Sequence, residues 1–71
     1  MKWERLTVII RFNHQTGKIR ETVIRGQEKT YAPEEQISIQ QYLRDLGRDG
    51  WELVGIVGTD TYLFSRRVKD D

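Results

Sequence analysis

The residues that could carry catalytic chemistry are few and lie far apart in this sequence. His14 is the only histidine, and its neighbours in the turn-rich segment NHQTG are amides that make poor catalytic or metal-binding partners. Ser38 is better explained as a helix N-cap than as a nucleophile, and Ser65 lies on a predicted strand with no histidine expected nearby. We therefore predict no catalytic residue, no metal site and no cofactor, in a protein that is not an enzyme.

Glu52 is the one acidic residue that a motif positions, between Trp51 and Leu53 on a predicted strand. No second titratable group is expected beside it, so an acid–base role would lack its partner. Glu52 could be an outward-facing solvated residue or the cross-strand partner of an arginine, and we favour the ion pair because opposite charges on neighbouring strands stabilise a sheet. The chain has no cysteine, which removes disulfides and thiolate metal ligands and is typical of a reducing compartment.

Four glycines occur between residues 47 and 58, a density that is also found in loops that bind phosphate. Such loops run from a strand into the N-terminus of a helix. Here Gly47 and Gly50 end a predicted helix and precede a strand, which is the opposite order. We interpret Gly50 as the left-handed residue after the helix and Gly47 as a site of close approach in its last turn. The other two are packing and turn glycines.

Arginines and aromatic rings at alternate positions could form a surface for a small nucleotide-like anion or for single-stranded nucleic acid. Acidic residues are interleaved with them, and the net charge is only +1, from 12 Lys and Arg against 11 Asp and Glu. Domains that bind nucleic acid usually carry a larger basic excess, because they displace counterions from phosphates. This surface is the alternative interpretation, and its candidate residues are Arg5, Arg11, Trp51, Tyr62, Arg66 and Arg67.

These side chains have to be positioned by a chain of 71 residues, which is enough for one domain covering residues 1–71. Apolar residues make up 37% and charged residues 32%, as in a soluble globular protein. The longest apolar run is Val8-Ile9-Ile10, and the N-terminus lacks the apolar segment of a secretory signal. We therefore expect a cytoplasmic protein that does not enter a membrane.

Alternating apolar residues predict two strands before any helix. Residues 3–12 and 18–25 show this alternation and are separated by turn residues that end in Gly17, which indicates a hairpin. The basic residues of the second strand indicate that it lies at an edge of the sheet. The segment 26–36 has no clear period, and we interpret it as a loop that contains a turn starting at Pro33.

The second half of the chain begins with a helix. Ser38 opens the capping-box pattern SIQQ, and apolar residues at helical spacing predict a helix over residues 39–49. After Gly50 the period changes to two, which predicts strands over residues 51–57 and 62–68 with a turn between them. The order β-β-α-β-β is typical of an α+β two-layer domain, a four-stranded antiparallel sheet with one helix on one face.

One face of this sheet would pack against the helix, but apolar residues occur on both faces of its strands. Alternation separates Leu53 and Val57 from Val54 and Ile56, so one of these pairs should share the open face. Exposed apolar patches usually mark an interface, and a core of this size rarely stabilises a chain without a disulfide, a metal or a partner. We expect a homodimer or higher homo-oligomer that associates through the open sheet face or through strand edges, with the candidate interface residues Trp3, Ile9, Val54 and Ile56.

The segment LGRDGWELV, residues 46–54, carries the pattern L-G-x-x-G-W-E-L-V. It resembles the hallmark of a bacterial and phage domain-of-unknown-function family, the one numbered 4177. Members are also similar in an aromatic–acidic start, here Trp3-Glu4, and in an ending that reads Phe64-Ser65-Arg66 here, with serine where lysine is common. The resemblance is good over residues 38–67, weaker over the first strand and absent over residues 13–37. It implies a small cytoplasmic domain and no agreed activity.

The residues and the resemblance lead to one expectation about function. We expect a small non-enzymatic, homo-oligomeric domain that acts through contacts with itself and with other proteins. The alternative is a binder of a small anionic ligand or of single-stranded nucleic acid through the arginine–aromatic surface. Salt dependence separates the two, because phosphate binding weakens steeply with salt whereas an apolar interface does not.

Overall fold

The computed structural model describes residues 2–68, which form a five-stranded antiparallel sheet and one α-helix. The elements in chain order are β1 (Lys2–Phe12), β2 (Ile19–Ile24), β3 (Gln27–Thr30), a 3₁₀ turn (Pro33–Glu35), α1 (Ile39–Arg48), β4 (Glu52–Val57) and β5 (Thr61–Val68). The strands are arranged in the order β3-β2-β1-β5-β4, so the first and last strands pair at the centre. The predicted α+β class with an antiparallel sheet is confirmed, whereas the predicted number of four strands is wrong.

The strand that the sequence pattern did not predict is β3, which lies in the segment expected to be a loop. Its four residues are all exposed and polar, so they show no apolar alternation. The strand forms after Arg25 and Gly26, whose φ angles of 53° and 80° are those of a two-residue type I′ hairpin turn. β3 therefore pairs with β2 and occupies the edge that was expected for β2.

The core lies between the sheet and α1. Leu6 lies opposite Phe64 and Val8 opposite Tyr62, which confirms that these side chains share one face. The buried apolar residues of the described chain are Leu6, Val8, Ile10, Ile19 and Phe64. The helix adds only partly buried side chains, from Ile39, Tyr42, Leu43 and Leu46. The core is small because no residue of the helix is fully buried.

Ser38 caps α1 as its sequence pattern predicts. The Ser38 Oγ accepts a hydrogen bond of 3.1 Å from the backbone N–H of Gln41. The second half of the capping box is not formed, because the Gln41 side chain donates instead to Asp45 Oδ1, at 2.8 Å. The cap satisfies one of the N–H groups that the first turn of any helix leaves without an intrahelical partner.

The C-terminus of α1 is closed by a Schellman motif centred on Gly50, whose φ of 88° lies in the left-handed region. The N–H of Trp51 donates to Leu46 O and the N–H of Gly50 donates to Gly47 O, both at 3.0 Å. The interpretation of Gly50 as a helix-ending residue is confirmed. The close approach expected at Gly47 is not found, because a Cβ there would meet no atom within 4 Å.

The molecule is elongated, with principal extents of 44 × 23 × 20 Å. Its radius of gyration is 13.0 Å, whereas a compact chain of this length would have about 11 Å. Its accessible surface is 5439 Å², on the order of 700 Å² more than the roughly 4,700 Å² expected for a compact monomer of 8.5 kDa. The described residues include no helix that is long and apolar enough to cross a membrane.

Candidate interaction surface

β4 contains a bulge that decides which of its side chains share a face. Leu53 lies opposite Phe64 on β5, but the next pair along the ladder joins Gly55 to Leu63. Val54 is therefore an extra residue without an opposite partner, as in a β-bulge. Strict alternation of faces along β4 ends at this point.

The bulge overturns the division of β4 that alternation predicts. Ile56 lies opposite Tyr62, which shares a face with the buried Val8, so Ile56 lies on the face of the sheet that carries the helix. Val57 lies opposite Thr61, which pairs with Ile9 on the open face. Val54 lines a cavity with Arg5 and Ser65 of the open face, so the observed sets are Leu53 with Ile56 and Val54 with Val57. The prediction that Val54 and Ile56 share one face is wrong.

The large exposed apolar side chains of the described residues are concentrated on β4. They are Trp3, Leu53, Val54, Ile56 and Val57, with exposed fractions between 40% and 58%. We call the four β4 members, Leu53, Val54, Ile56 and Val57, the β4 apolar edge. Because β4 is an edge strand and its aliphatic groups lie on both faces, this surface extends around the rim of the sheet.

The two edges of the sheet differ in chemistry. β3 has the sequence Gln-Glu-Lys-Thr and exposes only polar side chains. Short polar edge strands of this kind are a common protection against pairing with other chains. β4 carries a single charge, Glu52, and the following five residues are aliphatic or glycine. One edge is therefore protected against association and the other is apolar.

The predicted interface residues are only partly brought together. Trp3 and Val54 line one shallow cavity of about 310 Å³ on the open face, together with Arg5 and Ser65. Ile9 is half-buried farther along β1, between Val23 and Thr61. Ile56 lies on the opposite face, because the extra residue Val54 shifts the alternation of faces along β4.

Arg66 is held by several contacts within its own chain. Its Nη2 donates to both carboxylate oxygens of Glu4, at 3.2 and 3.0 Å, and its Nη1 donates to the backbone oxygen of Asp49 at 3.2 Å. The guanidinium carbon also lies 4.3 Å from the ring centre of Trp51, in a cation–π stack. These contacts indicate a structural role for Arg66. Its side chain is still 33% exposed and lines a cavity of about 420 Å³ together with Trp3 and Arg67.

The six residues proposed for ligand binding do not form one surface. Trp51, Tyr62 and Arg66 pack on the helix side of the sheet. The register of β1 with its neighbours puts Arg5, Arg11 and Arg67 on the open face. The Arg11 guanidinium is also paired with the Glu21 carboxylate at 2.7 Å, whereas the Arg67 guanidinium lies over the ring of Trp3 at 5.7 Å.

The sequence analysis expected Glu52 to pair with an arginine, but other acidic residues form the ion pairs with arginines. Glu52 lies opposite Ser65 and forms no ion pair within residues 2–68, so its predicted pairing with an arginine is wrong. Glu4 and Glu21 take that role, with Arg66 and Arg11. Only the strand register identifies these partners, because Glu4 and Arg66 are 62 positions apart.

A second cavity, of about 430 Å³, lies where the β2–β3 hairpin approaches α1, and the sequence did not reveal it. Thr22, Tyr31 and Tyr42 contribute hydroxyl groups to it, and Thr22 is only 2% exposed. The Thr22 Oγ1 and Tyr31 Oη lie 3.3 Å apart, within hydrogen-bonding distance. Burial raises the pKa of the Tyr42 phenol above its usual value of 10.0, and the nearby Tyr31 adds to this effect. Tyr31 was missed because its segment showed no period.

The remaining residues that could take part in catalysis or metal binding do not form a cluster. His14 is exposed in the β1–β2 turn, and residues 2–68 contain no group of three His, Asp or Glu side chains that could hold a metal ion. The geometry therefore offers an apolar edge, an arginine with a structural role and shallow mixed cavities. Comparison of the chain with protein-family models, with curated proteins and with solved structures gives no match.

Proposed function

We propose that this protein is a non-enzymatic domain that acts through protein contacts, in the first place with further copies of itself. The observation that supports this most is the β4 apolar edge, four aliphatic side chains exposed by 40–58% on an unprotected strand. Burying the exposed part of each would contribute about 1 kcal/mol. Contiguous exposed apolar groups of this kind mark interaction sites in small soluble proteins.

The surface area of the chain supports association. The excess over a compact monomer is on the order of 700 Å², and a standard interface takes about 800 Å² from each partner. An elongated chain of this size therefore exposes enough surface for an interface of standard size. The small core is a second reason, since a chain with few buried side chains and no disulfide benefits from a partner.

Binding of a small anion or of single-stranded nucleic acid is less well supported than self-association. Of the proposed surface, Arg5 and Arg67 share one end of the open face, together with Trp3. Glu52 lies beside them on β4, which reduces the positive potential there. Phosphate contacts would have to come mainly from two exposed arginines. Binding that depends on such contacts would weaken steeply as the salt concentration increases.

The resemblance to family 4177 and the cytoplasmic location belong to this proposal as well. The L-G-x-x-G-W pattern matches residues with structural roles here: Leu46 and Gly47 accept the last helix hydrogen bonds, Gly50 adopts the positive φ, and Trp51 stacks with Arg66. The motif is thus explained by the junction between helix and strand, and its presence does not require a ligand or a reaction.

Native mass spectrometry of gently purified protein at low salt tests the proposal. We expect a multimer whose mass is an integer multiple of the bare chain. A monomer would contradict self-association. Additional mass that disappears as salt is increased would favour the anion-binding alternative, and the value of that mass would narrow the class of ligand.

A further inference from the structure

We propose that two copies of this chain pair through β4, antiparallel and about a two-fold axis, so that their sheets join into one. This inference rests on the proposed self-association and adds the strand, the direction and the register. β4 is an edge strand, and its outward backbone groups have no backbone partner within residues 2–68. A row of such unpaired N–H and C=O groups is a template for a further strand.

The distribution of aliphatic groups favours the edge over either face. Leu53 and Ile56 lie on the helix side of the sheet, and Val54 and Val57 lie on the open face. A partner packed on the open face would cover only the second pair. A strand added beside β4 extends both faces at once and contacts all four side chains, because cross-strand neighbours meet on each face.

The bulge favours a second copy over an extended peptide of another protein. In a regular strand, residues three positions apart point to opposite faces. In β4 the bulge puts Leu53 and Ile56, three positions apart, on the same face. The regular strand β5 pairs across the bulge by leaving Val54 without an opposite residue, and a regular peptide would also have to skip one residue of β4. The faces of residues 52–57, in contrast, follow the same order in both chain directions, so an antiparallel second copy can match β4 at every position. A second copy carries the same change of face at the matching position.

The register follows from the requirement that opposite residues share a face. A two-fold axis between Val54 and Gly55 places Leu53 opposite Ile56 of the second copy and Glu52 opposite its Val57. Glu52 is the only charged residue of β4. In this register the two Glu52 carboxylates lie at opposite ends of the strand pair, so like charges are not placed against each other.

Single introduced cysteines test this register directly, because the natural chain contains none. In the proposed dimer the Cα atoms of the two Val54 residues would be roughly 6 Å apart, within the range that a disulfide bridges. Val57 of one copy lies opposite Glu52 of the other, which is five residues from Val57 in the sequence. The two Val57 residues would therefore be about 17 Å apart. These two valines are matched in type, strand, face and exposure, at 57% and 58%.

The experiment compares disulfide formation in the full-length Val54→Cys and Val57→Cys chains under the same mild oxidation, with Thr30→Cys on the β3 edge as a second control. We expect Val54→Cys to cross-link at least about tenfold faster than either control, because only its sulfurs come within bonding reach. A dimeric natural chain in which Val54→Cys does not cross-link, or does so no faster than Val57→Cys, would overturn the edge arrangement but leave self-association intact. A monomeric natural chain would overturn the proposed function and this inference together.

Discussion

Arg66 and Trp51 form a cation–π stack, with the guanidinium carbon 4.3 Å from the ring centre. The Nη2 of the same guanidinium donates to both carboxylate oxygens of Glu4, and its Nη1 donates to the backbone oxygen of Asp49, the C-cap of α1. One side chain therefore joins both central strands to the end of the helix. Carbonyl groups at a helix C-terminus lack intrahelical partners, so the contact with Asp49 also satisfies an otherwise open acceptor.

Replacement of Arg66 by lysine should destabilise the domain. Lysine keeps the charge but loses the planar fork and the stacking surface, and we expect the free energy of unfolding to fall by about 1–2 kcal/mol. The matched control is Arg67→Lys, since Arg67 is also stacked on a tryptophan but is exposed and forms no hydrogen bond within residues 2–68. Urea denaturation of both variants measures the difference, and equal losses would contradict the role assigned to Arg66.

Two glycines of the same helix end should respond in opposite directions to alanine. Gly50→Ala forces a residue with a Cβ into a backbone with a φ of 88°, which should cost about 1–2 kcal/mol. Gly47 has open space around its Cα, and alanine should stabilise this helical position by about 0.5–1 kcal/mol. Thermal denaturation should show a lower Tm for the first variant and a higher Tm for the second. The same sign for both would contradict the Schellman geometry.

Arg25 adopts a φ of 53°, which is unfavourable for a residue with a long side chain. Asparagine tolerates this region, and Asn-Gly is the preferred pair in type I′ turns. Arg25→Asn should therefore raise the free energy of unfolding by about 0.5–1 kcal/mol, or the Tm by about 3–6 °C. Calorimetry measures the shift. A lower Tm than that of the natural chain would show that the Arg25 side chain contributes more than its backbone strain costs.

The stability of the domain should decrease in alkaline solution because of Tyr42. Burial raises the pKa of this phenol above 10.0 in the folded chain, so the unfolded chain loses its proton first as the pH rises. The free energy of unfolding should fall as the pH passes 10.0 and continue to fall until the folded-state pKa is reached. Tyr42→Phe removes this contribution. Urea denaturation between neutral pH and pH values above 10.0 should show the variant losing less stability than the natural chain, and parallel losses would refute this assignment.

Much of the fold was predictable because the local sequence signals, helix caps and apolar alternation, indicate the same elements that the tertiary packing stabilises. The Ser38 side chain caps the N-terminus of the helix, and Gly50, which has no side chain, adopts the positive φ that ends it. Both signals can be recognised without knowledge of the tertiary structure. The alternation of β1 identified the buried Leu6, Val8 and Ile10, because that strand is regular along the stretch that contains them. Each of these features is determined by residues close together in sequence.

The errors arose where backbone geometry departs from the simple periods. β3 has no apolar pattern and exists because of the turn at Arg25 and Gly26, whose sequence lacks the usual Asn or Asp. The bulge at Val54 exchanges the faces of Ile56 and Val57, and nothing in a one-dimensional pattern marks it except the neighbouring Gly55. The candidate interface was predicted from residues of β1 and β4, and the face assigned to Ile56 was wrong.

Sedimentation of the natural chain beside two charge variants tests the central claim, self-association through β4, most directly. Ile56→Lys introduces a charge into the β4 apolar edge, and Thr30→Lys introduces the same charge on the β3 edge. At up to about 100 µM, where a dimer with a micromolar Kd is fully formed, we expect the natural chain and Thr30→Lys to be dimeric. We expect Ile56→Lys to dissociate with a Kd at least about tenfold higher. A natural chain that stays monomeric, or an Ile56→Lys variant that associates as tightly as Thr30→Lys, would contradict the claim.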